Sequence, residues 1–142
     1  MSKFAAFMAQ NVATIENKKI VVSERFKNPE TGEVEKWEIK ALTNEENDDL
    51  QRRAMVQVPV VGQRGAFTRE MDQIKYTQLL LSNSVVYPNL NDAELQDSYG
   101  VKTAEALIGK MLYPAEAAKL AREIMNFSQI ENLPDAVEEA KN

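Results

Sequence analysis

From Lys19 to Ala41 apolar residues alternate with polar ones, and from Thr43 onward they recur three and four positions apart. Strand side chains change face at every residue, whereas helical ones return to the same face after about 3.6, so no single kind of element satisfies both halves. This switch of period predicts an α+β fold, mainly helical, with an N-terminal β-hairpin packed on a compact group of about five helices. The expected organisation is one α+β domain over residues 1–132, with the hairpin at 19–41 and helices across 44–125. Residues 133–142 are expected as a short C-terminal helix or a frayed tail.

In the hairpin, Ile20, Val22 and Phe26 share one face, with Glu24 interrupting it, and Trp37, Ile39 and Ala41 share the face opposite Lys36, Glu38 and Lys40. Asn28-Pro29-Glu30-Thr31-Gly32-Glu33 supplies the turn, Pro29 by its fixed φ and Gly32 by its tolerance of positive φ. If Lys27 faces Val34, Val22 falls opposite Ile39 and Ile20 opposite Ala41. The apolar faces then coincide, and a one-residue slip would separate them. Two strands alone are marginal in water, so helices should cover that face, with Trp37 as the anchor between the layers.

A short opening helix is expected over residues 2–13, with Ser2 as N-cap and Phe4, Phe7 and Met8 on one side. Thr43 and Glu46 have the spacing of a capping box, and the helix they open runs from acidic residues to Arg52 and Arg53, matching the helix dipole. Residues 56–70, with Pro59, Gly62 and Gly65, break the periodicity; Val56–Val61 reads as an edge segment and Gly62–Gly65 as an exposed, mobile turn. Met71–Val86 reads as the central buried helix, carrying Ile74, Leu79, Leu80, Leu81, Val85 and Val86, and ended by Pro88. Asn91 then caps a short helix that turns Leu95 and Tyr99 inward and stops at Gly100. Thr103 opens a further helix, Pro114 suits the first position of the last one, and Asn126–Asn132 reads as a linker.

The chain has no Cys and no His, which removes thiol chemistry, the commonest zinc ligands and the usual neutral-pH general base. The acidic groups Glu45, Glu46, Asp48, Asp49 and Asp92, Glu94, Asp97 lack calcium-loop spacing and read as helix starts. Neither Gly62-Gln63-Arg64-Gly65 nor Gly109-Lys110 continues into a phosphate-binding loop. No catalytic, cofactor-binding or metal-binding residue is expected, and the chain is not expected to be an enzyme. With 17 basic against 22 acidic residues the net charge is −5, which opposes attraction to phosphate, and the tyrosines are not interleaved with cations. The apolar stretch Phe4–Ala9 is too short for a secretory core or a membrane span. A soluble, unprocessed chain with no nucleic-acid or membrane partner is therefore expected, and its leading candidates are protein-binding residues. These are Phe4, Phe7 and Met8 at the N-terminus, Val60 and Arg64 in the broken stretch, and Leu133 and Val137 near the C-terminus.

The run Pro88-Asn89-Leu90-Asn91-Asp92-Ala93-Glu94-Leu95-Gln96-Asp97-Ser98-Tyr99-Gly100-Val101 resembles the XkdN-like tail assembly chaperones of bacteriophages and prophage-derived tail particles. Phe4 to Val12, Lys36-Trp37-Glu38-Ile39, Val56-Gln57-Val58-Pro59, Leu107 to Pro114 and the acidic end Val137–Asn142 fit the same resemblance. It implies a non-enzymatic role in virion morphogenesis, in the cytoplasm of the bacterial host and absent from the mature virion. The implied partners are the tape measure protein and the tail tube protein. Two other classes are a structural tail completion or adaptor subunit retained in the particle, and a regulatory or nucleic-acid-binding phage protein.

Overall fold

Strands β1 (Lys18–Ile20) and β2 (Trp37–Ile39) pair antiparallel, and β2 pairs in turn with β5 (Val85–Tyr87) to give a three-stranded sheet in the order β1-β2-β5. The computed structural model describes residues 3–130. Between β2 and β5 run α1 (Asn44–Arg53), the ribbon β3 (Met55–Pro59) and β4 (Phe67–Met71), and α2 (Gln73–Ser84). After β5 follow α3 (Ala93–Ser98), α4 (Ala104–Met111) and α5 (Pro114–Ser128). The architecture is α+β and mainly helical, as the change of period implied.

The expected bridge between Lys27 and Val34 forms, but the strand register beyond it does not follow from it. Ile20 lies opposite Trp37, and Ile39 lies opposite Lys18 instead of Val22, a displacement of four residues. Ala41 lies outside β2 and faces no residue of β1. The extra residues of the first arm leave the ladder over Val21–Phe26, where the Phe26 amide donates to Ser23 at 3.5 Å and closes a local turn. Because the displacement is even, the facing of the side chains survives, and Ile20, Trp37 and Ile39 are all buried. The interruption at Glu24 marks this excursion in the sequence. Phe26 returns to the core edge, its ring centroid 5.4 Å from that of Trp37.

The region expected as one helix from Met71 to Val86 holds three kinds of backbone. Met71 ends β4, Asp72 caps α2 by accepting from the Lys75 amide at 3.1 Å, and Val85–Tyr87 leaves the helix as a strand. The Lys40 amide donates to the Ser84 carbonyl at 2.9 Å, so β2's open edge draws the chain out of the helix there. Leu79, Leu80 and Leu81 are buried, and α2 packs against α1, α4 and α5 as the central helix. Ile74 stands 74% exposed in its first turn.

Residues 56–70, expected as an edge segment and a loop, form an antiparallel ribbon pairing Met55 with Met71 through Pro59 with Phe67. The expected opening helix over 2–13 is a single 3₁₀ turn, Ala5–Phe7, with none of its residues buried. Phe7 and Met8 stay exposed, so little burial is available to propagate a helix; Ser2 lies outside the described residues.

The capping residues Thr43 and Thr103, and Pro114 at the first position of α5, stand where the sequence puts them. The cap of α3 is Asp92, not Asn91: the Asn91 amide donates to the Asn89 side chain at 3.0 Å in its own turn, and the Leu95 amide donates to Asp92 at 2.9 Å. Gly100, at φ 69°, ends α3 as expected, but Tyr99 stays partly exposed. The last helix extends past Asn126 to Ser128, whose hydroxyl accepts from the Leu42 amide at 2.9 Å. The expected linker is thus partly helix, and the expected C-terminal element at 133–142 lies outside the described residues.

Candidate functional site

One side of the molecule is closed by α5. Its residues Glu116, Lys119 and Glu123 recur at helical spacing on one face and meet the first arm of the hairpin in turn. Arg25 donates to Glu116 through two hydrogen bonds, 2.6 and 2.9 Å, and to the Met111 carbonyl at 2.9 Å. Lys119 donates to the Val21 carbonyl at 2.9 Å, and Lys18 pairs with Glu123 at 3.1 Å. The Arg25 guanidinium also lies over the rings of Phe26 and Tyr113, at 5.0 and 4.8 Å. The Arg25 hydrogen bond, together with those from Ser23 and the Tyr113 amide, pulls the Glu116 carboxyl down to about 2. Every charge here is answered within the chain. This face braces sheet to helices.

Two other regions carry exposed apolar surface. In the N-terminal arm, residues 3–17, Phe7 is 81% exposed and Phe4, Met8, Val12 and Ile15 are exposed with it. Its backbone and side-chain bonds are largely local, such as the Val12 amide to the Met8 carbonyl and the Asn11 amide group to the Ala5 carbonyl. The turn brings Phe4, Phe7 and Met8 together; Val12 and Ile15 extend the same apolar arm and were not singled out from the sequence. Their spacing from Met8, four and seven positions on, was the available signal.

The second region is the β3–β4 ribbon, which leaves the body at Ala54 and Asp72; Met71 at its base packs against the core, and the strands pack substantially only on each other. Val60 is half-buried where the ribbon closes, its amide donating to Ala66, and Arg64 lies in the exposed turn beyond. Val61 and Phe67 are exposed beside them, and sequence reasoning missed Phe67 and Arg69. The alternation Phe67-Thr68-Arg69-Glu70-Met71 carries the strand signal, hidden by the flanking glycines. Arg52, Arg53, Arg64, Arg69 and Lys75 against Glu70 and Asp72 make this stretch positive within an acidic chain. The two strands of the ribbon do not pack substantially on the Ala5–Phe7 turn. Leu133 and Val137 lie outside the described residues.

At the ribbon's base a cleft of about 640 Å³ is lined by Arg53, Asp72, Ile74, Lys75 and Glu105 among others. Its two acids are Asp72, which caps α2, and Glu105 in the first turn of α4. Among the described residues no group of three or more acidic side chains converges as a metal site would require. Also among them, no helix is long and apolar enough to cross a membrane.

The fold is similar to that of the crystal structure of the protein YqbN, with a TM-score of 0.71 at 20% identity over 92% of this chain and 98% of that one. No curated protein matches the chain. The XkdN-like phage tail assembly chaperone family matches residues 4–141, nearly the whole chain, including the Pro88–Val101 run, the Trp37 strand and the valine-rich ribbon. The chain belongs to the XkdN-like phage tail assembly chaperone family.

Proposed function

We propose that this tail assembly chaperone acts without catalysis by binding the tape measure protein in the host cytoplasm. It keeps that protein dispersed while tail tube subunits polymerise around it, and it is absent from the finished virion. The observation that carries this reading is the N-terminal arm, where Phe4, Phe7, Met8, Val12 and Ile15 are all exposed. A long helical rod with apolar stripes is aggregation-prone until enclosed, and an apolar arm on an acidic carrier covers such stripes while its net charge of −5 keeps the complex apart from its neighbours. Val60 and Arg64 at the ribbon's end are a secondary contact in this reading.

Co-expression with the tape measure protein of the same operon tests it. The wild-type chain is expected to co-purify with that protein and raise its soluble yield. The double substitution Phe4→Asp, Phe7→Asp should abolish both while leaving the circular dichroism and thermal transition unchanged, since neither residue is buried. Unchanged co-purification removes the arm from the interface. Mass spectrometry of purified tails should find no copies of the chain, whereas a fixed stoichiometry there would mark a retained adaptor subunit.

A further inference from the structure

The N-terminal arm holds two helical turns interrupted at Met8. The Phe7 amide donates to the Phe4 carbonyl at 2.9 Å and the Met8 amide to the Ala5 carbonyl at 3.3 Å, which closes the first turn. The Asn11 and Val12 amides donate to the Met8 carbonyl at 2.9 and 3.0 Å, which closes the second. Met8 itself has φ −66° and ψ 141°. Its φ is already helical, whereas its ψ lies far from the helical value of about −42°. The Asn11 side chain spans the break, donating to the Ala5 carbonyl at 2.8 Å.

The sequence favours continuation across this break. Neither Gly nor Pro occurs before Pro29, and Ala5, Ala6, Ala9 and Ala13 are strong helix formers. As one helix, residues 4–15 place Phe4, Phe7, Met8, Val12 and Ile15 within about 140° of its circumference, with Asn11 the one polar residue among them. A helix of about 12 residues without burial is marginal in water, so the straight form needs a surface to lie on. The root of the arm is fixed, the Asn17 side chain donating to Glu38 at 3.0 Å and Lys18 pairing with Glu123. Residues 4–15 carry no charge, which suits an uncharged apolar stripe such as a helical rod presents. The basic polar face of a helix that lies on a membrane is absent from them.

We propose that Met8 is a hinge: on meeting the apolar stripe of the tape measure protein, the arm straightens into one α-helix over residues 4–15 and packs along that stripe, helix against helix. This rests on the reading that the arm binds that protein, and adds the form in which it binds. Recognition then depends on the backbone of the arm as well as on its apolar side chains, since the helix brings all five to one side.

The substitution Ala9→Pro separates the two conformations. Proline disfavours the helical region in the residue before it and suits the second position of a turn, so it keeps Met8 extended and the Met8–Asn11 turn closed. In a helix it would clash with the Ala5 carbonyl and remove a hydrogen bond. Every apolar side chain of the stripe is retained. Ala9→Gln, which keeps helix propensity and lies off the stripe, is the control.

The three chains are co-expressed with the tape measure protein of the same operon, and the amount that co-purifies is measured. Ala9→Gln is expected to match wild type, and Ala9→Pro to recover at most about a tenth as much. The amides of Ala9, Gln10, Ala13, Thr14 and Ile15 donate to no backbone carbonyl among the described residues. In the wild-type complex their hydrogen exchange should slow by at least about tenfold relative to the free chain. Free Ala9→Pro should match free wild type in circular dichroism and thermal midpoint, since no residue of the Ala5–Phe7 turn is buried. Equal recovery by all three chains overturns the proposal and leaves tape measure binding standing, whereas a wild-type chain that recovers none overturns both. Equal loss in Ala9→Gln and Ala9→Pro also overturns it, because position 9 then acts by contact. So does slow exchange of these amides already in the free chain, whether from a preformed helix or from a second copy.

Discussion

Arg25 and Glu116 are 91 residues apart in sequence and joined by two hydrogen bonds of 2.6 and 2.9 Å, the guanidinium fork matching both carboxylate oxygens. The pair fastens the excursion in the first hairpin arm to the first turn of α5, and the rings of Phe26 and Tyr113 flank the cation. Arg25→Ala should lower the thermal midpoint by several degrees. Arg25→Lys should recover only part, because an ammonium cannot bridge both oxygens while also reaching the Met111 carbonyl. Equal midpoints for Lys and Arg would show that the fork geometry contributes nothing.

The same pair sets an acid response. The Glu116 carboxyl sits at about 2 in the fold against 4.5 for an ordinary one, and Glu46 is also lowered, chiefly by the hydrogen bond from the Thr43 amide. A depressed carboxyl stabilises the fold fully above its unfolded value, and that contribution disappears as protonation proceeds below it. The urea midpoint should therefore fall as pH drops from about 4.5 towards about 2. Glu116→Gln should start lower and show a shallower fall over that window. Parallel profiles for the two chains would remove Glu116 as a source of the acid response.

Ser84 is fully buried, and its hydroxyl has no hydrogen-bond partner. Leaving a buried donor unsatisfied costs about 1–3 kcal/mol, whereas removing it leaves only a small gap. Ser84→Ala should be neutral or stabilise the fold by up to about 1 kcal/mol, read from urea unfolding. A loss of more than about 1 kcal/mol would mean that the hydroxyl is bonded in solution.

Ile124 is fully buried on α5, in the same cluster as Trp37 and Leu107. Ile124→Ala should destabilise by about 2–5 kcal/mol through lost transfer energy and the cavity left behind. Trp37, the only tryptophan, provides the fluorescence signal for the transition. A cost under about 1 kcal/mol would mean that the α5 interface collapses around the gap.

Thr43 accepts from the Glu46 amide at 3.2 Å while Glu46 accepts from the Thr43 amide at 3.0 Å. Thr43→Ala should cost about 0.5–2 kcal/mol, and Thr43→Ser should restore most of it. Hydrogen exchange should show the loss first in the amides of the first turn of α1.

Local chemistry was legible where it acts over a few residues. The capping side chains of α1 and α4, Pro114 at the start of α5, and the buried stripes through Leu107 and Leu120 all follow from spacing and propensity. Exposure was legible in part: Phe4, Phe7 and Met8 are exposed apolar residues on a terminal turn, while the exposed strand residue Phe67 was hidden in a stretch read as a loop. Glycines at both ends of the Gly62–Gly65 turn signal a break, and a break alone does not tell a loop from the tip of a ribbon.

The amino-acid order by itself fixed the change from strand to helix periodicity, the faces of Ile20, Trp37 and Ile39, and most helix starts, because each depends on neighbours within about one turn or one pleat. Tertiary structure decided three things that no local pattern contains. Val85–Tyr87 became a strand because β2 has an open edge there, and the hairpin register moved by four residues because Val21–Phe26 is pulled towards α5. Arg25 found Glu116 because the helices bring Tyr113 and Met111 beside it. In each case the partner group lies far along the chain, so its energy enters only once the chain has closed on itself.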